Sequence, residues 1–187
     1  MTTADASIKV SFELNKKDIK YFRERLKSTR SKRDEKDDEI VIQAAAASIK
    51  DAIAADSPEF VCVRLDTLNQ LIEMVRDTQW RLEGRDRVRV LDALAYFADP
   101  EDLIPDRIPG IGYIDDAIMI ELVARELKHE IKSYEDFCDF RKQKAMKADD
   151  DKISARRESL QRRMRRRRRS DSDRLRSSGG RSSLKLW

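Results

Sequence analysis

The sequence predicts a mainly α fold: a helical bundle with a Pro/Gly-containing helix–loop–helix hairpin, one N-terminal β-strand and a disordered C-terminal tail. Three observations predict it. Apolar residues recur at helical spacing in five or six separate stretches of the first 148 residues. One short stretch, 8–14, alternates apolar and polar with a period of two. Beyond residue 148 the apolar period is lost, and arginine, serine and aspartate dominate. The expected division is a helical domain over 1–148, with the hairpin at 86–132, and a basic tail over 149–187.

The strand rests on Ile8, Val10, Phe12 and Leu14, which alternate with Lys9, Ser11 and Glu13. A lone strand leaves backbone groups unpaired, so it must pair with a second copy across a two-fold axis, which would make a homodimer, or with another segment of the chain, or stay frayed. Asn15 is placed to cap the next helix, with Asp18 near its start. Ile19, Phe22 and Leu26 form that helix's apolar stripe. Residues 40–55 are alanine-rich and apolar on more than one side, as in a well-buried helix. Ser57-Pro58 ends it, because the residue before proline avoids the helical region. Residues 60–63 read as a short extended link. Leu65, Leu68, Leu71, Ile72 and Val75 then mark a helix over 66–82, broken at Gly84. Val88, Leu91, Leu94, Ala95 and Phe97 mark an amphipathic helix ending near Asp99-Pro100. Residues 100–116 hold three prolines and two glycines, which excludes a continuous helix. From Asp115 a helix resumes, with Ile118, Leu122, Val123 and Leu127 inward. Ser133 and Asp136 have capping-box spacing and would open a last helix carrying Tyr134, Phe137, Cys138 and Phe140.

Charged residues make up 41% of the chain, against about 25% in ordinary globular domains. The net charge of +4 is unevenly divided: residues 149–187 carry 14 Lys and Arg against 6 Asp and Glu, leaving the body at −4. No stretch reaches the ~20 apolar residues that span a bilayer, and the first residues lack an apolar signal core. A cytoplasmic protein is expected. Cys62 and Cys138 have no metal or redox spacing and read as small apolar side chains.

Residues 94–123 read LAYFADPEDLIPDRIPGIGYIDDAIMIELV. Asp102, Leu103, Ile104, Pro105, Asp106, Pro109, Gly112, Asp115 and Asp116 resemble the mark of the YkvA-like family, domain of unknown function 1232. The resemblance covers residues 86–132. It implies a shared helix–loop–helix hairpin and brings no catalytic residues with it. Many members of that family look membrane-embedded, with long apolar segments either side of the motif. Arg107 and Glu121 interrupt the apolar pattern here, so insertion is not implied for this chain.

Asp99, Asp102, Asp106, Asp115 and Asp116 fall within 18 residues. Converging carboxylates could hold Mg²⁺ or Ca²⁺, and Asp102, Asp106, Asp115 and Asp116 are the candidate metal ligands of a metal-dependent enzyme. A structural role is favoured. Asp115 and Asp116 sit where a helix begins, and carboxylates there satisfy free amide groups; Asp102 and Asp106 suit tight turns. No Gly-rich phosphate loop, nucleophile elbow or Cys/His cluster supports catalysis, no cofactor is expected, and His129 reads as a solvated side chain.

The tail carries the second candidate site. Arg156, Arg157, Arg162, Arg163, Arg165, Arg166, Arg167, Arg168 and Arg169 crowd into 14 residues. Arginines at i,i+4 repel, which disfavours an isolated helix, and such a segment cannot bury enough apolar surface to fold alone. Its planar forks suit phosphate. The expected ligands are nucleic acid first and an anionic membrane surface second; contact with the acidic body, within or between chains, is a third. Ser170 and Ser172 are candidate phosphorylation sites that would lower the positive charge. The function expected is a non-enzymatic binding or adaptor module, with a protein partner for the body and polyanions for the tail. The alternatives are a peripheral membrane protein and the metal-dependent enzyme.

Overall fold

In the computed structural model the described residues are 13–33, 37–54, 59–97, 114–144 and 150–177. They form α1 (Lys16–Arg33), α2 (Asp38–Ala54), α3 (Glu59–Arg76), α4 (Gly84–Phe97), α5 (Ile114–Glu126), α6 (Lys128–Lys144) and α7 (Asp150–Ser177). The helical bundle stands, and the expected strand does not. Among the described residues there is no strand. Glu13 and Leu14 have no regular structure, and Leu14 packs against the helical core instead of a neighbouring strand. Residues 8–12 lie outside the described residues.

α1 begins as its sequence dictates. The Asn15 side chain accepts from the amides of Lys17 and Asp18 at 2.7 and 3.3 Å, and Asp18 Oδ2 accepts the Asn15 amide at 2.8 Å. This reciprocal cap starts a helix that buries Phe22 and Leu26. α2 buries Val41, Ile42, Ala45, Ile49 and Ala52. α3 begins at Glu59, so residues 60–63 are its first turns and not an extended link. Val61, with no exposed surface, supplies the apolar anchor that keeps them helical. α3 also ends earlier than expected. Asp77 Oδ1 accepts from the amides of Gln79 and Trp80 at 2.9 Å each, which turns the chain. Arg81 and Gly84 then take positive φ, 50° and 58°. Glycine meets no steric penalty there.

α4 is the centre of the bundle. It packs against α1, α2 and α3, and every residue from Val90 to Phe97 is buried. A helix apolar on all sides needs cover on all sides, and here other helices supply it. Arg76 meets Glu39 at 2.5 Å and Arg87 meets Asp38 at 3.1 Å. These pairs set α2 and α3 antiparallel, with the start of α4 beside the start of α2. α5 lies along α3, tied by Arg64–Glu121 at 3.6 Å. No described helix is long and apolar enough to cross a membrane.

α6 starts at Lys128, immediately after the turn at Leu127. Ser133 is therefore buried in mid-helix and not a cap, and the capping-box reading of Ser133 and Asp136 is corrected. Trp80 packs on Tyr134 and Phe137 with ring centroids 5.8 and 5.1 Å apart. That contact fixes α6 to the turn after α3.

The segment expected to be disordered is helical from Asp150 to Ser177. Leu160 and Met164 have no exposed surface. α7 runs antiparallel to α6: Lys128 meets Asp171, Asp136 meets Arg163, and the Phe140 ring meets Arg156. The repulsion between i,i+4 arginines disfavours an isolated helix. Here the body supplies both an apolar seam and opposing carboxylates, which offset it. Residues 178–187 lie outside the described residues.

Candidate polyanion interface

The nine arginines of the tail do not act as one set. α7 turns at about 100° per residue, and that rotation divides them. Arg168 points into the body. Its Nη1 lies 2.6 Å from Asp86 Oδ1 on α4 and 2.6 Å from Glu130 Oε1 on α6. Arg165 Nε adds a bond to Asp86 Oδ2 at 3.0 Å. Asp86 is nearly buried and Glu130 fully so. Arg89 approaches Glu130 at 3.4 Å from the other side. Burial opposes the charge on Arg168, but the bonds to Asp86 and Glu130 outweigh it, and its pKa is raised further.

Three more arginines are turned toward the body. Arg163 meets Asp136 at 3.3 Å. Arg156 lies over the Phe140 ring at 5.5 Å. Arg157 donates to the Gln79 carbonyl at 3.4 Å. Beside it, Gln161 donates to the Trp80 carbonyl at 2.8 Å. At the far end Asp171 Oδ2 takes Lys128 at 2.6 Å and His129 Nε2 at 2.9 Å. Lys128, then His129, hold the Asp171 carboxyl below its ordinary range. His129 is thus part of the α6–α7 seam and not a solvated side chain; its side chain keeps 16% of its exposure.

The remaining four, Arg162, Arg166, Arg167 and Arg169, are exposed, and none forms an ion pair among the described residues. Arg162, Arg166 and Arg169 fall within an arc of about 60° and span about 10.5 Å along the axis. Exposed Glu158 and Asp173 lie one turn before and one turn after this row. The result is a short, rigid strip of positive charge.

The aspartate cluster fares differently. Asp99, Asp102 and Asp106 lie outside the described residues. Asp115 is buried in the first turn of α5 and Asp116 is half-buried beside it. Both are engaged in interactions within the chain. Among the described residues no group of three or more His, Cys, Asp or Glu side chains is placed to hold a metal ion. Tyr96 and Phe97 are core residues, edge to face at 5.1 Å.

Sequence reasoning missed one polar network. Asp77 Oδ2 takes Arg141 at 2.7 Å and the Tyr134 hydroxyl at 3.1 Å. Burial, and then the Asp77 charge, push the Tyr134 hydroxyl well above its ordinary value. An open groove of 510 Å³ beside it is lined by Gln70, Glu73, Glu135, Cys138, Asp139 and Lys142. Nothing in the local sequence links residues 77, 134 and 141; only the packing of α6 on the turn after α3 joins them.

No solved structure matches the chain. The family model described as "Protein of unknown function (DUF1232)" matches residues 86–122, which run from α4 into α5. α7 lies outside that match. The chain is similar to "Uncharacterized membrane protein YkvA" of Bacillus subtilis (strain 168), 35% identical over 72 residues. That alignment takes in 36% of this chain and 68% of the relative. On this likeness, the chain belongs to the YkvA-like family, DUF1232.

Proposed function

We propose that the protein is a non-enzymatic binding module in which the YkvA-like bundle is a scaffold and α7 presents a polyanion-binding strip. One observation carries this reading: Arg162, Arg166, Arg167 and Arg169 stay exposed and unmatched by any described carboxylate, while Arg163, Arg165 and Arg168 are matched. Neutralising four exposed arginines costs the bundle little, whereas a polyanion gains charge-assisted bonds. The test is retention of the full chain on immobilised heparin against the Arg162→Gln, Arg166→Gln, Arg167→Gln, Arg169→Gln variant. Retention should fall to background in the variant. Equal retention would remove the reading.

A second reading is peripheral attachment to a membrane. It is favoured by the name of the relative, a membrane protein. It is also favoured by Ile53, Phe60 and Val63, exposed at 56%, 42% and 61% where α2 ends and α3 begins. Flotation with neutral and anionic vesicles tests it. A chain that stays with neither would exclude it.

A further inference from the structure

The exposed strip on α7 has features that select among polyanions. We infer that its ligand is a double-stranded nucleic acid, held by its phosphate backbone without base readout, through Arg162, Arg166 and Arg169. The inference rests on the polyanion reading above and narrows it.

Three observations carry it. First, α7 has no aromatic residue between Asp150 and Ser177. Proteins that hold single strands stack bases on aromatic side chains, and this helix offers no such platform. Second, its seam residues Leu160 and Met164 have no exposed surface, because they are packed against the body. A helix that binds in a membrane interface needs a free apolar face, and α7 has committed its own. Third, the row Arg162, Arg166, Arg169 is bracketed by Glu158 and Asp173. A rigid row about 10.5 Å long with carboxylates at each end suits a stiff, dense line of phosphates crossing it. An extended polyanion laid along the whole helix would meet both carboxylates.

The charge count follows from the division of the arginines. Arg163, Arg165 and Arg168 stay on Asp136, Asp86 and Glu130, Arg156 and Arg157 stay on the Phe140 ring and the Gln79 carbonyl, and Arg167 lies about 100° or more from the row, so three arginines remain for phosphate. Three contacts predict an affinity loss of about fortyfold between about 50 and 200 mM salt, whereas nine would give nearly 10⁵-fold.

The experiment measures the salt dependence of binding of the full chain to a mixed-sequence DNA duplex, to the single strand of the same sequence, and to phosphatidylserine vesicles. The Arg162→Gln, Arg166→Gln, Arg169→Gln variant serves as control, because these exposed positions leave the core intact. Preference for the duplex, a loss of about fortyfold over that salt range, and loss of binding in the variant would support the inference. Tighter binding to the single strand or to vesicles would overturn the duplex assignment while leaving a polyanion site. A salt dependence near that of nine contacts would overturn the three-arginine footprint. Absence of binding to all three would overturn the polyanion reading itself.

Discussion

Arg168 Nη1 sits 2.6 Å from Glu130 Oε1, and Glu130 has no exposed surface. This pair joins the last helix to the body through a carboxylate that water does not reach. Its partner on α4, Asp86, lies at the same distance on the other side. Removing one member of such a cluster leaves buried charge poorly compensated. Arg168→Met is therefore expected to lower stability by about 3 kcal/mol, read by urea denaturation. Glu130→Gln should also be destabilising, and the double variant should cost less than the sum of the singles. Strict additivity would show that the two residues do not interact.

The outward arginines should behave in the opposite way. Arg162 and Arg166 are i,i+4 neighbours of like charge, which destabilises a helix by a few tenths of a kcal/mol. Replacing both with Gln is expected to leave stability unchanged or raise it by about that amount, while polyanion retention falls. A loss of more than about 1 kcal/mol would show that these side chains belong to the fold and not to a free surface.

Leu160 is the apolar anchor of α7. Leu160→Ala is expected to cost about 3 kcal/mol through lost burial and the cavity left behind. Trp80, whose carbonyl accepts from Gln161, reports on the same seam. In a Trp187→Phe background, Leu160→Ala should shift Trp80 emission to the red as water reaches the indole. An unchanged spectrum with unchanged stability would contradict the docking of α7.

Acid should loosen the far end of the seam first. The Asp171 carboxyl is held below its ordinary value of 3.8 by Lys128 and then His129. A group whose folded pKa is depressed stabilises the fold above its unfolded value and loses that contribution as pH falls through the folded one. The last turns of α7 should therefore gain amide exchange below about pH 4 before the rest of the helix, and Asp171→Asn should remove that pH dependence. Identical profiles for both chains would count against the contact.

Much of the bundle was legible in local pattern. Asn15 and Asp18 announced the start of α1, Val41 to Ala52 marked a buried helix, and Ile118, Leu122 and Val123 gave the inner face of α5. What was misread depended on distant partners. The alternation over 8–14 was given weight as a strand, yet Leu14 found its place against helices. The tail was judged by its own composition. What makes it a helix is Asp86 and Glu130, 82 and 38 residues away from Arg168. A signal was present in Ile153, Leu160 and Met164, whose spacing of seven and four places them on one helical face. The density of arginine masked it. The division of nine arginines into inward and outward sets follows only from where α4 and α6 lie.

Amide hydrogen exchange of the full chain over residues 150–177 is the most direct measurement. A docked α7 predicts protection centred on residues 156–171, deepest around Leu160 and Met164. Exchange across that stretch at the rate of an unstructured peptide would contradict it, and with it the separation of the arginines into two sets.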